Sequence, residues 1–399
     1  MTPDQAPVDA AAEVARLVAP FRDELVAFRR DLHAHPELGR AEVRTTARVR
    51  DRLEEAGLAP KTLPGGTGLL CDVGGGDRMV ALRADLDALP VPDDKDVPYR
   101  STVPGSCHAC GHDVHTSALL GAGLVLADLD RAGRLPGTVR LVFQPAEELN
   151  PGGALDVISA GGMDGVERIF ALHCDPRTEV GQLGVRVGAI TAASDLLRVR
   201  LSGPGGHTAR PHLTADLVYA LGRVLTEVPA VLDRRTDPRA ALTLVWGRVA
   251  AGAVANAIPK TGVAEGTIRC LDVATWEHLP ELARAAVEAA VASYAVEADV
   301  DYVRGVPPVV NDRASAQLLA AASRLHLGPD SVVDAERSLG GEDFGWYLER
   351  VPGAMARLGV RREGQQEAHD LHQGVFDVDE RAIPMATRVL VGAALLSFG

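Results

Sequence analysis

The sequence predicts an α/β protein in which a mixed-sheet domain is interrupted by an inserted ferredoxin-like (βαββαβ) unit. Three observations carry that reading. Over the first half of the chain, short apolar runs of strand length alternate with segments of helical periodicity. From residue 189 the rhythm changes to β-α-β-β-α-β, which is the complete split unit of a small ferredoxin-like domain. After Pro307-Pro308 the first rhythm returns. The expected domains are 1–188 and 304–399 for the interrupted domain and 189–303 for the insert.

Taken in order, Val14, Leu17, Val18, Phe21, Leu25, Phe28 and Leu32 recur at helical spacing and predict a helix over 10–33, and another follows over 45–56 before Gly57. Pro36 ends the first. His33 and His35 beside it are read as cationic side chains favoured at an exposed helix C-terminus, not as metal ligands. Runs 68–73 and 79–83 predict strands joined by the turn Gly74-Gly-Gly-Asp77. A helix of small apolar residues over 117–131 suits close packing on a sheet; 139–143 and 168–172 are buried strands, with a short helix over 156–161 between them. In the insert, strands at 196–201, 241–249, 262–270 and 298–303 alternate with helices at 216–232 and 276–292. The returning domain supplies a helix over 315–327, the loop 340–344, a strand over 354–358, a loop carrying His369 and His372, and a last helix to Ser397.

Composition narrows the function classes. The 399 residues are 46% hydrophobic, enough to fill the cores of two domains. A net charge of -13 argues against nucleic acid or an anionic membrane as partner and for a small-molecule substrate. Met1–Val18 lacks a basic region followed by an apolar core, and no apolar run is long enough to span a bilayer, so a cytoplasmic location is expected. Five scattered cysteines do not make a disulfide scaffold and agree with a reducing compartment.

The stretch Cys107-His-Ala-Cys-Gly-His-Asp-Val-His-Thr116 concentrates thiols, imidazoles and a carboxylate, the side chains that hold zinc and its neighbours. Half of a structural zinc ribbon is the competing reading, but no second Cys pair accompanies it. Cys110 and His112 flank a Gly that lets the backbone turn sharply, so both can face one ion. Asp85/Asp87, Glu147/Glu148 and His173 follow strands, where open α/β sheets bind ligands. Taken alone, Glu147-Glu148 also reads as negative charge at a helix N-terminus. If Cys110, His112, Glu148, His173 and His372 converge, their number exceeds one catalytic zinc and suits two divalent ions. Glu147, left out of the ligand set, is then free to take a proton from water.

Arg83-Ala-Asp-Leu-Asp-Ala-Leu-Pro90, His108-Ala-Cys-Gly-His-Asp113, Phe143-Gln-Pro-Ala-Glu-Glu148, Gly205-Gly-His-Thr-Ala-Arg-Pro-His212, Asn256-Ala-Ile-Pro259 and Gly341-Glu-Asp-Phe344 resemble, in order, the metal-dependent amidohydrolases that include hippurate hydrolase, indoleacetyl-amino-acid hydrolases and N-acetyl-diaminopimelate deacetylase. The resemblance implies a di-metal hydrolase domain with a dimerisation and lid insert, and a homodimer acting on N-acyl amino acids. It implies Cys110, His112, Glu148, His173 and His372 as ligands of two ions, zinc or manganese, with cobalt or nickel as substitutes. It further implies Glu147 as base, Asp87 orienting a ligand, His207 reaching across the dimer to an oxyanion, and Asn256 and Arg269 holding the substrate carboxylate. Cys107 stands where Met is usual, and Ala192-Ala-Ser-Asp195 and Asp216-Leu-Val218 also depart from the pattern, which bears on substrate preference. The rival readings are a carboxypeptidase or dipeptidase with the same core, a metal-binding protein without activity, and a Cys-His hydrolase using Cys110 that would survive chelation.

Overall fold

The computed structural model describes residues 5–365 and 368–399; the first four residues of the stretch read for a leader lie outside them. Helices α1 (Gln5–Val18) and α2 (Arg22–Ala34) replace the single helix expected over 10–33. Pro20 lies in the 3-10 turn Ala19–Phe21 between them, as a residue without an N–H interrupts a helical ladder. After α3 (Val43–Glu55) come β1 (Lys61–Thr62), β2 (Leu69–Val73) and β3 (Met79–Asp85). Then α4 (His112–Arg131), β4 (Thr138–Gln144), α5 (Ala154–Ser159), β5 (Val166–Glu179), β6 (Leu183–Val185) and β7 (Gly188–Thr191) follow.

The next elements are β8 (Ser194–Ser202), β9 (Gly206–His207), α6 (Leu217–Arg235), β10 (Thr243–Ala251), β11 (Ala257–Ile258), β12 (Thr261–Arg269), α7 (Val273–Val291) and β13 (Glu297–Val306). The chain closes with β14 (Val309–Asn311), α8 (Arg313–Leu327), β15 (Val332–Asp334), the single turn α9 (Gly345–Leu348), β16 (Gly353–Arg361) and α10 (Ala382–Phe398). It divides into one unit of 1–190, 311–336 and 343–399, and a second of 191–310 and 337–342.

The larger unit is built on a mixed sheet ordered β1-β2-β4-β3-β5-β16-β6-β15. Its centre, β4-β3-β5-β16, is parallel, while β2 runs antiparallel to β4. Strand β4 therefore separates β2 from β3, so the turn Gly74-Gly-Gly-Asp77 joins two strands that are not neighbours in the sheet. Central strands β3 and β4 read as near-continuous apolar runs because both their faces are covered. Helix α4 is buried along almost its whole length. Its small residues permit that: a Cβ on Gly123 would run into Leu141 of β4.

The smaller unit is an antiparallel sheet ordered β10-β12-β8-β13 against which α6 and α7 pack, the ferredoxin-like βαββαβ topology. Asp216 and Asp272 cap these helices by accepting from the N–H groups of Tyr219 and Thr275. Strand β13 continues to Val306, past the boundary expected at 303. Among the described residues, no helix is long and apolar enough to cross a membrane.

Candidate metal centre

Helix α4 begins at His112, five residues earlier than periodicity suggests, because Gly111 at its N-cap has φ of +85°. Only glycine fits: a Cβ there would lie 2.7 Å from Cys174 Sγ. This turn leaves Cys110 in the loop and puts His112 in the first helical turn. His112 Nδ1 lies 2.9 Å from the Asp87 carbonyl oxygen and 3.3 Å from Asp87 Oδ1, acceptors that hold its proton on Nδ1. Nε2 is buried without a hydrogen-bond partner; burial opposes a charge on the ring, but Asp85 and Cys110 raise its pKa, so a cation at Nε2 would take the place of a proton. His173 is arranged the same way, its Nδ1 2.8 Å from the Cys174 carbonyl and its Nε2 3.5 Å from Cys110 Sγ. Burial, and then the charge of Arg357, lower the His173 pKa and favour the neutral imidazole that ligates metal. The expected strand end at 172 is corrected: β5 runs through His173 to Glu179, but its pairing with β3 stops at Ala171, so His173 lies just past the stretch paired with that neighbour.

The loop after β4 brings the carboxylates. Asp87 Oδ1 and Oδ2 accept from the N–H groups of Glu147 and Glu148 at 3.0 and 2.9 Å. Buried Glu42, which sequence reasoning missed, accepts from the Ala146 N–H at 2.7 Å. Glu147 Oε2 and Glu148 Oε1 each lie 3.9 Å from His112 Nε2, and Glu148 Oε1 is 3.5 Å from His372 Nε2. Ligand atoms of Cys110, His112 and His173 lie within 4.8 Å of one another, as do those of Cys110, Glu148 and His372, and of His112, Glu147 and Glu148. All five expected ligands and the expected base therefore share one site. The donors fit divalent cations: thiol, imidazole and carboxylate converge, and buried His112 Nε2 and Glu148 Oε1 lack partners. Burial raises the Cys110 thiol and the Glu148 carboxyl, shifts that a bound cation reverses.

Residues 81–396 match the family described as Peptidase family M20/M25/M40. The chain belongs to peptidase family M20/M25/M40. The N-acetyl-L-cysteine deacetylase of Bacillus subtilis is 36% identical over 373 residues, 93% of this chain and 87% of the relative. A Rhodococcus jostii protein named provisionally as a glutamate–cysteine ligase is 53% identical over 374 residues; these are 94% of this chain but 46% of that relative, so the chain spans about half its length. The crystal structure of Bacillus subtilis YxeP, described as a dinuclear metal-binding peptidase of the M20 family, superposes with a TM-score of 0.82 at 33% identity, covering 95% of this chain and 99% of that one. These likenesses make the chain a metal-dependent hydrolase of amide bonds.

Beneath the M20 centre, His115 is not a free ligand. Its Nδ1 lies 2.6 Å from Asp85 Oδ1, and its Nε2 accepts from the Cys174 N–H at 2.8 Å. Asp85 also pairs with Arg83, which reaches Asp343 and Gln144, so the base of the site is a buried, hydrogen-bonded charge network. Burial opposes the charge on Asp85, but His112, Arg83 and His115 keep it ionised.

His33 corrects the expectation of an exposed helix end. It is fully buried, with Nδ1 2.7 Å from Asp113 Oδ2 and Nε2 3.3 Å from Asp93 Oδ2. Asp113 in turn accepts from Arg29 Nε at 2.6 Å.

Within the small unit, His207 is exposed on β9, paired with Ala257 of β11, and the Thr208 N–H donates to the Asn256 carbonyl at 3.3 Å. His207 and Asn256 are thus neighbours. Arg269 ends β12, whose nine residues start beyond Asn256, so strand geometry sets it roughly 25 Å away. Its side chain is half-buried and makes no hydrogen bond or ion pair among the described residues, and burial lowers its pKa against the opposing charge of Asp195.

Proposed function

We propose that the chain cleaves the amide of small N-acyl amino acids into a carboxylic acid and a free amino acid, with N-acylcysteine the first substrate class to test. The observation that carries this reading is Glu147, a carboxylate among the ligand groups whose N–H is held by Asp87 beside that of Glu148. Cys110, His112, Glu148, His173 and His372 would hold two divalent ions, which when bound would supply Lewis acidity and make water a better nucleophile. Zinc and manganese suit this mixed donor set, and cobalt or nickel can substitute. Glu147 takes a proton from the attacking water as the carbon–oxygen bond forms, then delivers it to the amine as the carbon–nitrogen bond breaks. Asp87 orients His112 and fixes the backbone of Glu147, so the base and a ligand share one anchor.

The substrate carboxylate suits the unpaired guanidinium of Arg269, and the developing oxyanion suits a donor such as His207. One copy cannot bring Asn256 and Arg269 to the same small molecule across that length of strand, which favours a homodimer supplying His207 and Asn256 from one protomer and Arg269 from the other. Edge strand β10 supports such pairing: it is solvent-exposed, with Val245 and Val249 outward, and Val218 and Tyr219 of α6 are exposed as well. The domain division at 1–188, 189–303 and 304–399 belongs to the same proposal. All five cysteines are free, which fits a cytoplasmic location.

The test is a panel of N-acetyl-, N-benzoyl- and N-indoleacetyl-amino acids and dipeptides, assayed with and without chelator. Chelator-sensitive release of amino acid from N-acylcysteine above the others supports the reading. Preference for dipeptides would establish the peptidase alternative, and chelator-resistant turnover would replace it with thiol chemistry at Cys110.

A further inference from the structure

The sequence holds three lysines, Lys61, Lys95 and Lys260, in a chain otherwise rich in arginine. One of them, Lys95, is buried. Its ammonium lies 2.9 Å from Asp93 Oδ1 and donates to the Gly374 carbonyl at 3.3 Å. The same carbonyl accepts from the Asp94 N–H at 3.0 Å. Asp93 is fixed from its other side, where Oδ2 accepts from the Ser101 N–H at 2.9 Å and lies 3.3 Å from His33 Nε2.

Gly374 follows His372 by two residues. The His372 N–H donates to the Ala109 carbonyl at 2.8 Å, immediately before Cys110. The loop is therefore pinned at His372 to the segment that carries Cys110 and, two residues on, to the 92–95 turn. The His372 ring itself is 54% exposed, and its φ of +65° lies in the left-handed region that a non-glycine residue enters at a cost. Its aim depends on the backbone more than on packing around the ring. Gly374 has no room to yield, since a Cβ there would run into the Pro92 carbonyl oxygen.

We propose that Lys95 is a positioning residue for His372: its buried ammonium holds the Gly374 carbonyl against the 92–95 turn and so directs the His372 imidazole toward Cys110 and Glu148. The inference rests on the reading of His372 as a metal ligand. A compact ammonium suits the gap between one carboxylate oxygen and one carbonyl, where the planar fork of an arginine needs more room and more acceptors. Residues that orient ligands typically change metal affinity by about 10- to 100-fold when lost.

The experiment titrates chelator-stripped protein with Zn²⁺ or Mn²⁺ against a chromophoric competitor, for the wild type, Lys95→Met, Gly374→Ala, His372→Ala and the double variant Lys95→Met/His372→Ala. Circular dichroism melting of each metal-free protein reports folding. Lys95→Met and Gly374→Ala should each weaken one of two ions by about 10- to 100-fold and leave the other in place. His372→Ala should weaken the same ion, and adding Lys95→Met to it should cost nothing further, because the two act through one contact. If His372→Ala binds both ions at wild-type affinity, the ligand reading of His372 fails and takes this inference with it. If His372→Ala loses an ion that Lys95→Met retains, whatever Gly374→Ala does, or if the losses multiply in the double variant, Lys95 is structural and the inference alone is overturned. Should Lys95→Met not fold, Lys95→Arg, which keeps the charge beside Asp93 but not the compact contact to Gly374, decides between the same outcomes.

Discussion

His326, near the end of α8, is a buried imidazole whose Nδ1 has no hydrogen-bond partner and whose Nε2 faces Gly392 of α10. Burial, with the charge of Arg388 adding to it, lowers its pKa from 6.5 to about 4. The unfolded chain therefore binds this proton more readily than the folded one, so stability falls as pH falls from the unfolded value toward the folded value. Linkage gives a loss of about 2 kcal/mol between pH 7 and pH 5, reaching about 3 kcal/mol below pH 4. His326→Leu, similar in volume and unable to titrate, should abolish that component. The assay compares thermal melting of metal-free wild type and variant from pH 7 to pH 5, so that acid release of metal does not enter. The variant should gain about 3 °C relative to the wild type over that interval. Parallel pH profiles for the two proteins would refute the argument, because they would mean that His326 titrates alike when folded and unfolded.

The catalytic proposal yields further expectations. Glu147→Gln should keep both ions and the backbone contact to Asp87 while turnover drops at least ~10²-fold; parallel loss of metal, read by elemental analysis, would reverse the roles of Glu147 and Glu148. Cys110→Ser should weaken metal binding, with activity partly restored by excess Mn²⁺, a harder ion that tolerates oxygen. Full activity of that variant at ordinary metal levels would remove Cys110 from the site. Mixing inactive Glu147→Gln and His207→Ala subunits under exchange should recover activity approaching about a quarter of the wild-type rate per site, and none if His207 serves its own subunit.

Much of this was legible in the sequence because the chemistry is packed into short motifs. The pair Cys110 and His112 needed only a glycine between them, and Gly111 does turn the chain there. The βαββαβ order could be read because strand and helix periodicities differ. The errors came from contacts that no local pattern encodes. His33 looked like an exposed helix end because its partners, Asp93 and Asp113, are distant in sequence. Runs 68–73 and 79–83 were rightly read as strands joined by a turn, but periodicity could not reveal that β4 lies between them in the sheet. The assignment of Asn256 and Arg269 to one carboxylate came from resemblance alone, and the length of β12 is what makes it require two protomers in the proposal above.

The two oxygens of Asp87 have a mechanical consequence. Each holds the backbone of one of two adjacent glutamates, one assigned to take protons and the other to bind metal, while the same residue steadies His112. A displacement of the loop after β4 is therefore transmitted to acid–base group and ligand together. It acts as a common-mode error that shifts the apparatus without changing its internal spacing. Tolerance of that kind lets the surrounding surface drift toward new acyl groups while the distances on which proton transfer depends stay fixed.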